Sequence, residues 1–169
     1  SLDLEPDAGL HLVDQPILDI SPGGRRIAYV ALDPSVNAGR LYLRSLESPE
    51  PMPLAATEGA SSPFFSPDGQ WLSFIKPYQG ARNIWVKAAD EPFASAKPIT
   101  ADDRPVPDYF WSRDSSYVLY VQDRDGDENF HVWAVDPDGA VASAGREGVG
   151  READLAGGQL GRRRRRAAR

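Results

Sequence analysis

The amino-acid sequence predicts an all-β fold assembled from a short repeat. Residues 66–69 (Ser-Pro-Asp-Gly) stand between Phe64-Phe65 and a run of residues rich in aromatic and branched side chains, a pattern typical of strand, tight turn and strand. Pro67 presets φ for the first corner of a type I turn, and glycine suits the position that ends it. Copies of the pattern begin at Ser21 and Ser112, 45 residues before and 46 residues after it. A period of about 45 residues with several short strands per repeat is typical of β-propeller blades.

When the three copies are aligned at their turn serines, apolar residues fall at the same positions in each copy, and we call each such position a column. The strand after each turn carries a branched residue and, two places on, an aromatic one, and side chains two apart share a face of a strand. The columns are Ile27, Leu72, Val118 and Tyr29, Phe74, Tyr120. The column between them, Ala28, Ser73 and Leu119, is mostly small. Small side chains at such positions favour close packing of sheet on sheet.

A third and a fourth strand complete the repeat. The predicted third strands are Leu41-Tyr42-Leu43, Ile84-Trp85-Val86 and Val132-Trp133-Ala134. The predicted fourth strands are Pro53-Leu54-Ala55 and Lys97-Pro98-Ile99-Thr100. Proline cannot donate a hydrogen bond to a central ladder, so the fourth strand is expected at the outer edge of each blade.

The sequence predicts an incomplete propeller of about three four-stranded blades, followed by a disordered arginine-rich tail. The third blade is expected to lack its outer strand, because no branched or aromatic cluster surrounds Gly145. From that point on, the residues have too few apolar side chains to bury the surface that would offset the conformational entropy lost on folding. The expected divisions are a lead-in segment at 1–15, a partial propeller at 16–139 with blades at about 16–56, 60–101 and 106–139, and a tail at 140–169.

Charge is unevenly distributed along the chain. Residues 146–169 hold eight arginines against three acids, so this part carries +5 and residues 1–145 carry −11. An acidic body argues against a nucleic-acid-binding face. The run Arg162–Arg166 is either a patch for nucleic acid, phospholipid or localisation, or the product of a shifted reading frame in GC-rich coding sequence. Arginine outnumbers lysine 16 to 3, which favours the second interpretation.

Composition also bears on the cellular compartment in which the protein is expected. There are no cysteines, which excludes disulfides and thiolate metal sites. No apolar run approaches the length of a membrane span. The amino end, residues 1–6, has neither a basic region nor an apolar core and is not predicted to be a secretory signal. The chain is expected in the cytoplasm and away from membranes.

The turn and strand motifs resemble known proteins. Ser-Pro-Asp-Gly followed by an aromatic-rich strand resembles the blades of the prolyl oligopeptidase family of serine peptidases and the periplasmic propellers of the Tol system. Residues 109–136 carry the more specific likeness: Tyr-Phe-Trp-Ser-Arg-Asp, a strand, then a long loop ending in Asp127-Glu128-Asn129 and an aromatic strand. This stretch resembles the third blade of bacterial dipeptidyl and acylaminoacyl peptidases. The likeness covers about residues 15–139.

The peptidase resemblance implies a two-part enzyme. In that family a propeller covers the active site and filters substrates, and a carboxyl-terminal α/β-hydrolase domain holds a Ser-Asp-His triad. This chain departs from the pattern, since it contains no Gly-x-Ser-x-Gly nucleophile motif. His11 and His131 are the two histidines, and neither lies near a nucleophile motif. No triad is predicted, and no catalytic, cofactor-binding or metal-binding residue is assigned.

Two other features are candidate sites. His131 lies within a predicted aromatic strand and is interpreted as a half-buried packing residue. In the loop from Asp123 to Glu128 three aspartates alternate as in an EF-hand, but glycine falls at the fourth position and Ala134 stands where the bidentate glutamate is required. The loop is therefore interpreted as a solvated hairpin. Acids in other inter-strand loops, at Asp102, Asp103, Glu91 and Glu58, are interpreted as solvated surface.

Two functions remain open from the sequence. The first is the substrate-gating, amino-terminal propeller portion of a prolyl oligopeptidase-like serine peptidase that is inactive alone. The resemblance then implies a separate hydrolase domain and further blades as partners, with peptide as the substrate of the whole enzyme. The second is a non-catalytic, protein-binding propeller of the Tol type. Either way the isolated chain is expected to be partly unfolded, or to associate with itself or with a chaperone, because unpartnered blade faces leave apolar surface in water.

Overall fold

The computed structural model describes most of the repeat region. The described residues are 11–12, 18–48, 50–123, 128, 130–139 and 151–152. The expectations for residues 1–10 and for most of 140–169 lie outside this range.

The described residues form three antiparallel sheets in chain order. The first contains β1 (His11–Leu12), β2 (Leu18–Ile20), β3 (Arg26–Asp33), β4 (Ala38–Ser45) and β5 (Met52–Pro53). The second contains β6 (Ser61–Phe65), β7 (Trp71–Tyr78), β8 (Ala81–Ala88) and β9 (Lys97–Pro98), with a short 3-10 helix at Phe93–Ser95. The third contains β10 (Tyr109–Trp111), β11 (Val118–Asp123), β12 (Phe130–Val135) and β13 (Arg151–Glu152). We call these sheets blades 1, 2 and 3.

The all-β prediction is confirmed. The tight turns join β2 to β3, β6 to β7 and β10 to β11, as the repeat predicts. Short outer strands at Pro53 and Pro98 pair with the third strand, at Tyr42 and Trp85 respectively. Proline is tolerated there because its missing N–H faces away from the ladder.

The third blade differs from the sequence prediction at its outer edge. Its fourth strand is β13, in which Glu152 is opposite Trp133 and Arg151 is opposite Ala134. The expectation that blade 3 lacks an outer strand is therefore wrong. The residues around Gly145, where the repeat would centre that strand, lie outside the described part of the chain. A two-residue strand needs only a few backbone hydrogen bonds, so its side chains carry no pattern that could reveal it.

The lead-in segment also contributes a strand. β1 pairs with β3, with His11 opposite Leu32 and Leu12 opposite Ala31. β2 pairs along the same edge of β3 from Tyr29 to Ile27. Together β1 and β2 extend the inner edge of blade 1.

The core lies between the blades. Leu72 and Phe74 of blade 2 pack with Ala28, Val30 and Leu41 of blade 1. One blade further on, a second cluster joins the two sheets. It contains Val118, Tyr120 and Trp133 of blade 3 with Ile75, Ile84 and Val86 of blade 2. The branched and aromatic columns thus face the preceding blade, while the residues between them face the following one.

Blade 1 has a face that turns away from blade 2. Ile27, Tyr29, Ala31 and Tyr42 form a buried cluster of their own on that face, with the Tyr29 and Tyr42 rings stacked at 5.5 Å between centroids. Leu18 and Ile20 are directly opposite Tyr29 and Ile27, so they share the face, yet both are exposed. Unpartnered blade faces were expected to be exposed to water. On this face of blade 1 that holds for the inner strand β2 and not for the residues of β3 and β4 in the buried cluster.

Candidate functional site

The turn of each blade is built around a serine hydroxyl. In blade 2 the Oγ of Ser66 accepts a hydrogen bond of 2.9 Å from the Trp71 amide and lies 2.5 Å from a carboxylate oxygen of Asp68. Blade 3 repeats this arrangement with Ser112, Asp114 and Tyr117. The bond from Ser112 holds the pKa of the Asp114 carboxyl below its usual value. Serine and aspartate therefore recur because they complete the turn, a structural role rather than a catalytic one.

Turns of neighbouring blades contact one another. The Asp68 amide donates a hydrogen bond of 3.0 Å to the hydroxyl of Ser115 in the next turn. On the other side, a side-chain carbon added at Gly69 would lie 3.5 Å from the ring of Pro22. The three turns consequently form a continuous row on one surface of the molecule.

Polar side chains also link the inner strands. A carboxylate oxygen of Asp19 accepts a hydrogen bond of 2.7 Å from the Phe65 amide, joining β2 to β6. The phenol of Tyr109 donates to the carbonyl of Ser62 at 2.5 Å, joining β10 to β6. Burial raises the pKa of the Tyr109 phenol, so this group stays a donor. Each link crosses from one blade to the next and holds the inner strands in register.

The acidic loop singled out in the sequence begins at an ion pair. Asp123 ends β11, and both of its carboxylate oxygens lie 2.5 Å from Nη1 of Arg104, in the segment between blades 2 and 3. The amide of Glu128 donates to the same carboxylate at 3.3 Å. The Asp123 side chain is 1% exposed, whereas that of Arg104 is 48% exposed. The hydrogen bond from Arg104 holds the pKa of the Asp123 carboxyl below its usual value.

This geometry changes the interpretation of the loop. Asp123 is committed to Arg104 and anchors the start of the hairpin, so it is not a solvated residue. The aspartates at 125 and 127 lie outside the described part of the chain. Among the residues that are described, no group of three or more metal-ligating side chains comes together.

A second loop acid also differs from its interpretation as solvated surface. Asp102 is buried, and its backbone exchanges hydrogen bonds of 2.9 and 3.0 Å with the side chain of Asn83. Glu58 is exposed as expected, and it pairs with Arg40 at 2.6 Å. Asp103 and Glu91 are exposed. Sequence reasoning missed Asp102 because its burial depends on Asn83, which lies 19 residues earlier in the chain.

The two histidines lie in different blades, His11 in β1 of blade 1 and His131 in β12 of blade 3. His131 is half-buried in β12, with its ring 6.4 Å from that of Trp133. This position agrees with the interpretation of His131 as a packing residue. His11 pairs through its backbone in β1.

Several large apolar side chains are exposed on the described surface. Exposed apolar side chains occur on the inner strands, at Leu18, Ile20 and Phe110, and at the start of β12, at Phe130. No helix among the described residues has the length and apolar character needed to cross a membrane. Exposed apolar side chains of this kind can contact another polypeptide.

Three consecutive antiparallel sheets, one of five strands and two of four, packed face to face and linked at their inner strands, define blades of a β-propeller. Solved structures share this fold. TolB from Acinetobacter baumannii gives a TM-score of 0.59 at 18% identity, covering 72% of this chain and 30% of TolB. The acylaminoacyl peptidase of Pyrococcus horikoshii gives 0.55 at 22% identity, covering 76% and 23%. The β-propeller domain of the Trilobed protease from Pyrococcus furiosus gives 0.57 at 22% identity, covering 76% and 40%.

A curated protein adds likeness in sequence. Over 72 residues the chain is 43% identical to dipeptidyl aminopeptidase BIII from Pseudoxanthomonas mexicana. The matched part is 42% of this chain and 10% of that protein, so the chain spans about a tenth of this relative. No protein-family model matches the chain. The predicted resemblance to the propeller blades of dipeptidyl and acylaminoacyl peptidases is confirmed.

Proposed function

We propose that this chain is a portion of the propeller of a dipeptidyl aminopeptidase-like serine peptidase, and that it filters peptide substrates for a separate α/β-hydrolase domain. The observation that carries the proposal is the 43% identity over 72 residues to dipeptidyl aminopeptidase BIII. The solved structures, all below 25% identity, support the fold and leave function to the sequence match.

The geometry supports a filtering role. Inter-blade links at Asp19 and Tyr109 hold the inner strands rigidly, and a rigid ring limits the size of a peptide that can pass its centre. The ion pair of Arg104 and Asp123 anchors the base of a long hairpin on one surface. Anchored loops on a stiff scaffold are a common way to present recognition residues.

A domain exchange tests the proposal. The matched 72-residue segment of dipeptidyl aminopeptidase BIII is replaced by the corresponding segment of this chain. We expect the hybrid to fold, to cleave a chromogenic dipeptidyl substrate, and to discriminate against a long polypeptide as strongly as the parent. A matched control carries the corresponding segment of TolB from Acinetobacter baumannii, which shares the fold alone.

The outcomes separate the parts of the proposal. A hybrid that cleaves the short substrate but no longer rejects the long one would show that these blades are compatible with the enzyme yet do not filter. If the TolB control performs as well as the hybrid, the sequence likeness carries no functional information. A Tol-type binding role is the alternative, and no observation on this chain favours it over the peptidase role.

A further inference from the structure

The inner strand of blade 2 contains an irregularity. In β6, Phe64 is opposite Ser73 but Ser61 is opposite Ile75, so one extra residue is inserted between the two pairs. This register shift is a β-bulge, and the inner strands of blades 1 and 3 pair without one. Ser62, inside the bulge, has φ of +51°, in the left-handed region that serine rarely adopts. A strained residue of this kind persists only when the surrounding structure requires it, and such residues cluster at functional sites.

The bulge changes the face of the sheet to which Ser61 points. Side chains alternate between the two faces of a strand, so a shift of one residue exchanges the faces. Phe64 packs with Tyr109 on the face toward blade 3, and without the bulge Ser61 would point the other way, toward blade 1. The extra residue places Ser61 opposite Ile75, whose side chain packs toward blade 3. Directly opposite residues share a face, so the bulge turns Ser61 toward blade 3.

On that face Ser61 meets Arg82. Arg82 lies in β8 two residues before Ile84, so both side chains point toward blade 3. Its guanidinium reaches past β7 to the inner strand, where Nη2 donates a hydrogen bond to the hydroxyl of Ser61. The backbone carbonyl of Arg82 accepts a hydrogen bond of 2.9 Å from the Val106 amide. These two contacts fix the guanidinium beside the inner strand, at the end of blade 2 that carries the β7–β8 hairpin.

Arg82 differs from other anchored arginines of this chain in the charge of its partner. Arg26, Arg40 and Arg104 each pair with a carboxylate. Among the described residues no carboxylate lies within ion-pair distance of Arg82, whose side-chain partner is a neutral hydroxyl. Arg82 is also exposed, so its charge faces water without being neutralised. A guanidinium held in one orientation, with N–H donors to spare, is suited to bind a carboxylate through two parallel hydrogen bonds.

We propose that Arg82 binds a carboxylate of a peptide, and that Ser61 is the positioning residue that holds its guanidinium for this purpose. The identity of the ligand rests on the proposed function, since a peptide has carboxylates at its carboxyl terminus and on acidic side chains. The bulge gives the strain at Ser62 a reason, because it turns Ser61 to the face on which Arg82 lies. The ligand accepts hydrogen bonds from N–H groups of Arg82 that the hydroxyl does not occupy.

The charge around Arg82 sets which carboxylates the site can hold. Residues 1–145 carry a net charge of −11, so ligands with several carboxylates are repelled. An ion pair at an exposed site is weak and is screened by salt, so binding should fall as the ionic strength rises. The site therefore suits a ligand with one carboxylate, at the carboxyl terminus of a short peptide or on a single acidic side chain.

Titration of the full chain, followed by the NMR signal of the Arg82 Nε–H group, tests the proposal. N-acetylalanine presents a terminal carboxylate, N-acetylaspartate amide presents a side-chain carboxylate, and N-acetylalanine amide is the neutral control. At least one carboxylate should shift the signal and saturate it, and which one does so identifies the source. A signal that neither carboxylate moves, or that the neutral amide moves equally, overturns the proposal.

Variants separate binding from positioning, with affinity measured by calorimetry on chains whose circular dichroism is that of the folded parent. Arg82→Gln should weaken binding of the carboxylate by about tenfold or more, because the charge is lost. Ser61→Ala should weaken it less, by about two- to fivefold, and Ser61→Thr should restore it, because the hydroxyl returns. Arg113→Gln, at an exposed arginine of the blade 3 turn, is the matched control and should bind like the parent.

The outcomes decide each part. Unchanged affinity of Arg82→Gln overturns the site. Unchanged affinity of Ser61→Ala overturns the positioning role, because a merely structural serine would alter stability without altering affinity in the folded chain. The assay measures binding to this chain and no peptidase activity. Its failure is therefore distinguishable from failure of the proposed function, which the hybrid enzyme reports through its rejection of long polypeptides.

Discussion

The indole nitrogen of Trp111 donates a hydrogen bond of 2.8 Å to the hydroxyl of Ser73, across the boundary between blades 2 and 3. The same hydroxyl donates in turn to the carbonyl of Phe64 at 2.9 Å. Ser73 is fully buried, so one small side chain connects the inner strands of two blades. Such a relay is costly to interrupt, because each lost partner leaves a polar group without a hydrogen bond away from water.

Ser73→Ala should destabilise the protein. The change removes an acceptor from Trp111 and a donor from Phe64 while keeping nearly the same volume, so we expect a loss of about 1–2 kcal/mol in the free energy of unfolding. Urea denaturation monitored by tryptophan fluorescence measures it. Ser95→Ala, which removes an exposed hydroxyl bonded to the carbonyl of Pro92, is the control and should change stability little. Equal effects of the two changes would contradict the relay.

Gly69→Ala should also be destabilising, for a reason of backbone geometry. Gly69 has φ of +73°, in the left-handed region, where a side chain costs about 1–2 kcal/mol. The added carbon would be in ordinary contact with Pro22, so strain rather than collision dominates. Gly23→Ala is the matched control, because nothing lies within 4 Å of a side-chain carbon added there. A thermal transition of Gly69→Ala that matches that of the control would show that the turn relaxes freely.

Asp123→Asn should reduce the dependence of stability on acid pH. Arg104 lowers the pKa of Asp123 in the folded state, relative to an unfolded value of about 4. The stabilisation is therefore fully present above about pH 4 and is lost as the pH falls through the folded-state pKa. Thermal unfolding from about pH 7 to 2 checks this. The variant should be less stable near neutral pH and should converge with the parent in acid.

The control for the pH experiment is Asp136→Asn, an exposed carboxyl in the turn after β12. The other carboxyls with a lowered pKa, at Asp33, Glu58, Asp68 and Asp114, titrate in parent and variants alike. Only the difference between variant and parent therefore reports on Asp123. A constant difference across the whole pH range would mean that the pair with Arg104 does not stabilise the fold through its charge.

The purified chain should have no peptidase or esterase activity. Its sequence contains no Gly-x-Ser-x-Gly motif, and covalent catalysis requires a nucleophile, a base and an oxyanion site together. Chromogenic aminoacyl and peptidyl substrates measure turnover after repeated purification. Labelling of a serine by a fluorophosphonate probe would contradict the prediction, and a dipeptidyl peptidase of known activity serves as the positive control.

Limited trypsin digestion should divide the carboxyl-terminal residues into two parts. Cleavage within Arg162–Arg166 should be early and should leave the circular dichroism unchanged. Cleavage at Arg151 should be slower, because its backbone pairs with Ala134 in β13. Equal rates at the two places would show that β13 offers no protection. Unfolding of the blades after loss of Arg162–Arg166 would contradict the prediction that this segment is separable.

The repeat is predictable because burial acts on it in the same way in every blade. Leu72, Phe74, Val118 and Tyr120 each meet a neighbouring sheet, so their columns recur in the sequence and identify the strands. In the column between them, Ala28 and Ser73 are fully buried. The hydrogen-bonding role of Ser73 does not follow from the sequence, because the donor Trp111 lies 38 residues later in the chain.

Features that occur once in the chain are not predictable in this way. The pair of Arg104 and Asp123 joins residues 19 positions apart, from the segment before β10 to the end of β11, and it has no counterpart described in blades 1 and 2. β13 is two residues long, too short to show a side-chain pattern in the sequence. Asp102 is buried because Asn83 binds its backbone, whereas an aspartate in a loop is ordinarily solvated. Each of these depends on tertiary structure rather than on local sequence.

The direction in which the apolar columns point has a consequence for synthesis. Leu72 and Phe74 rest on blade 1, and Val118 and Tyr120 rest on blade 2, so each blade docks on the one translated before it. At the ribosome the receiving face of a blade, which carries branched residues such as Val30 and Leu41 as well as the small Ala28, is made before the residues that cover it. We therefore expect each new blade to find its docking surface already translated when it emerges.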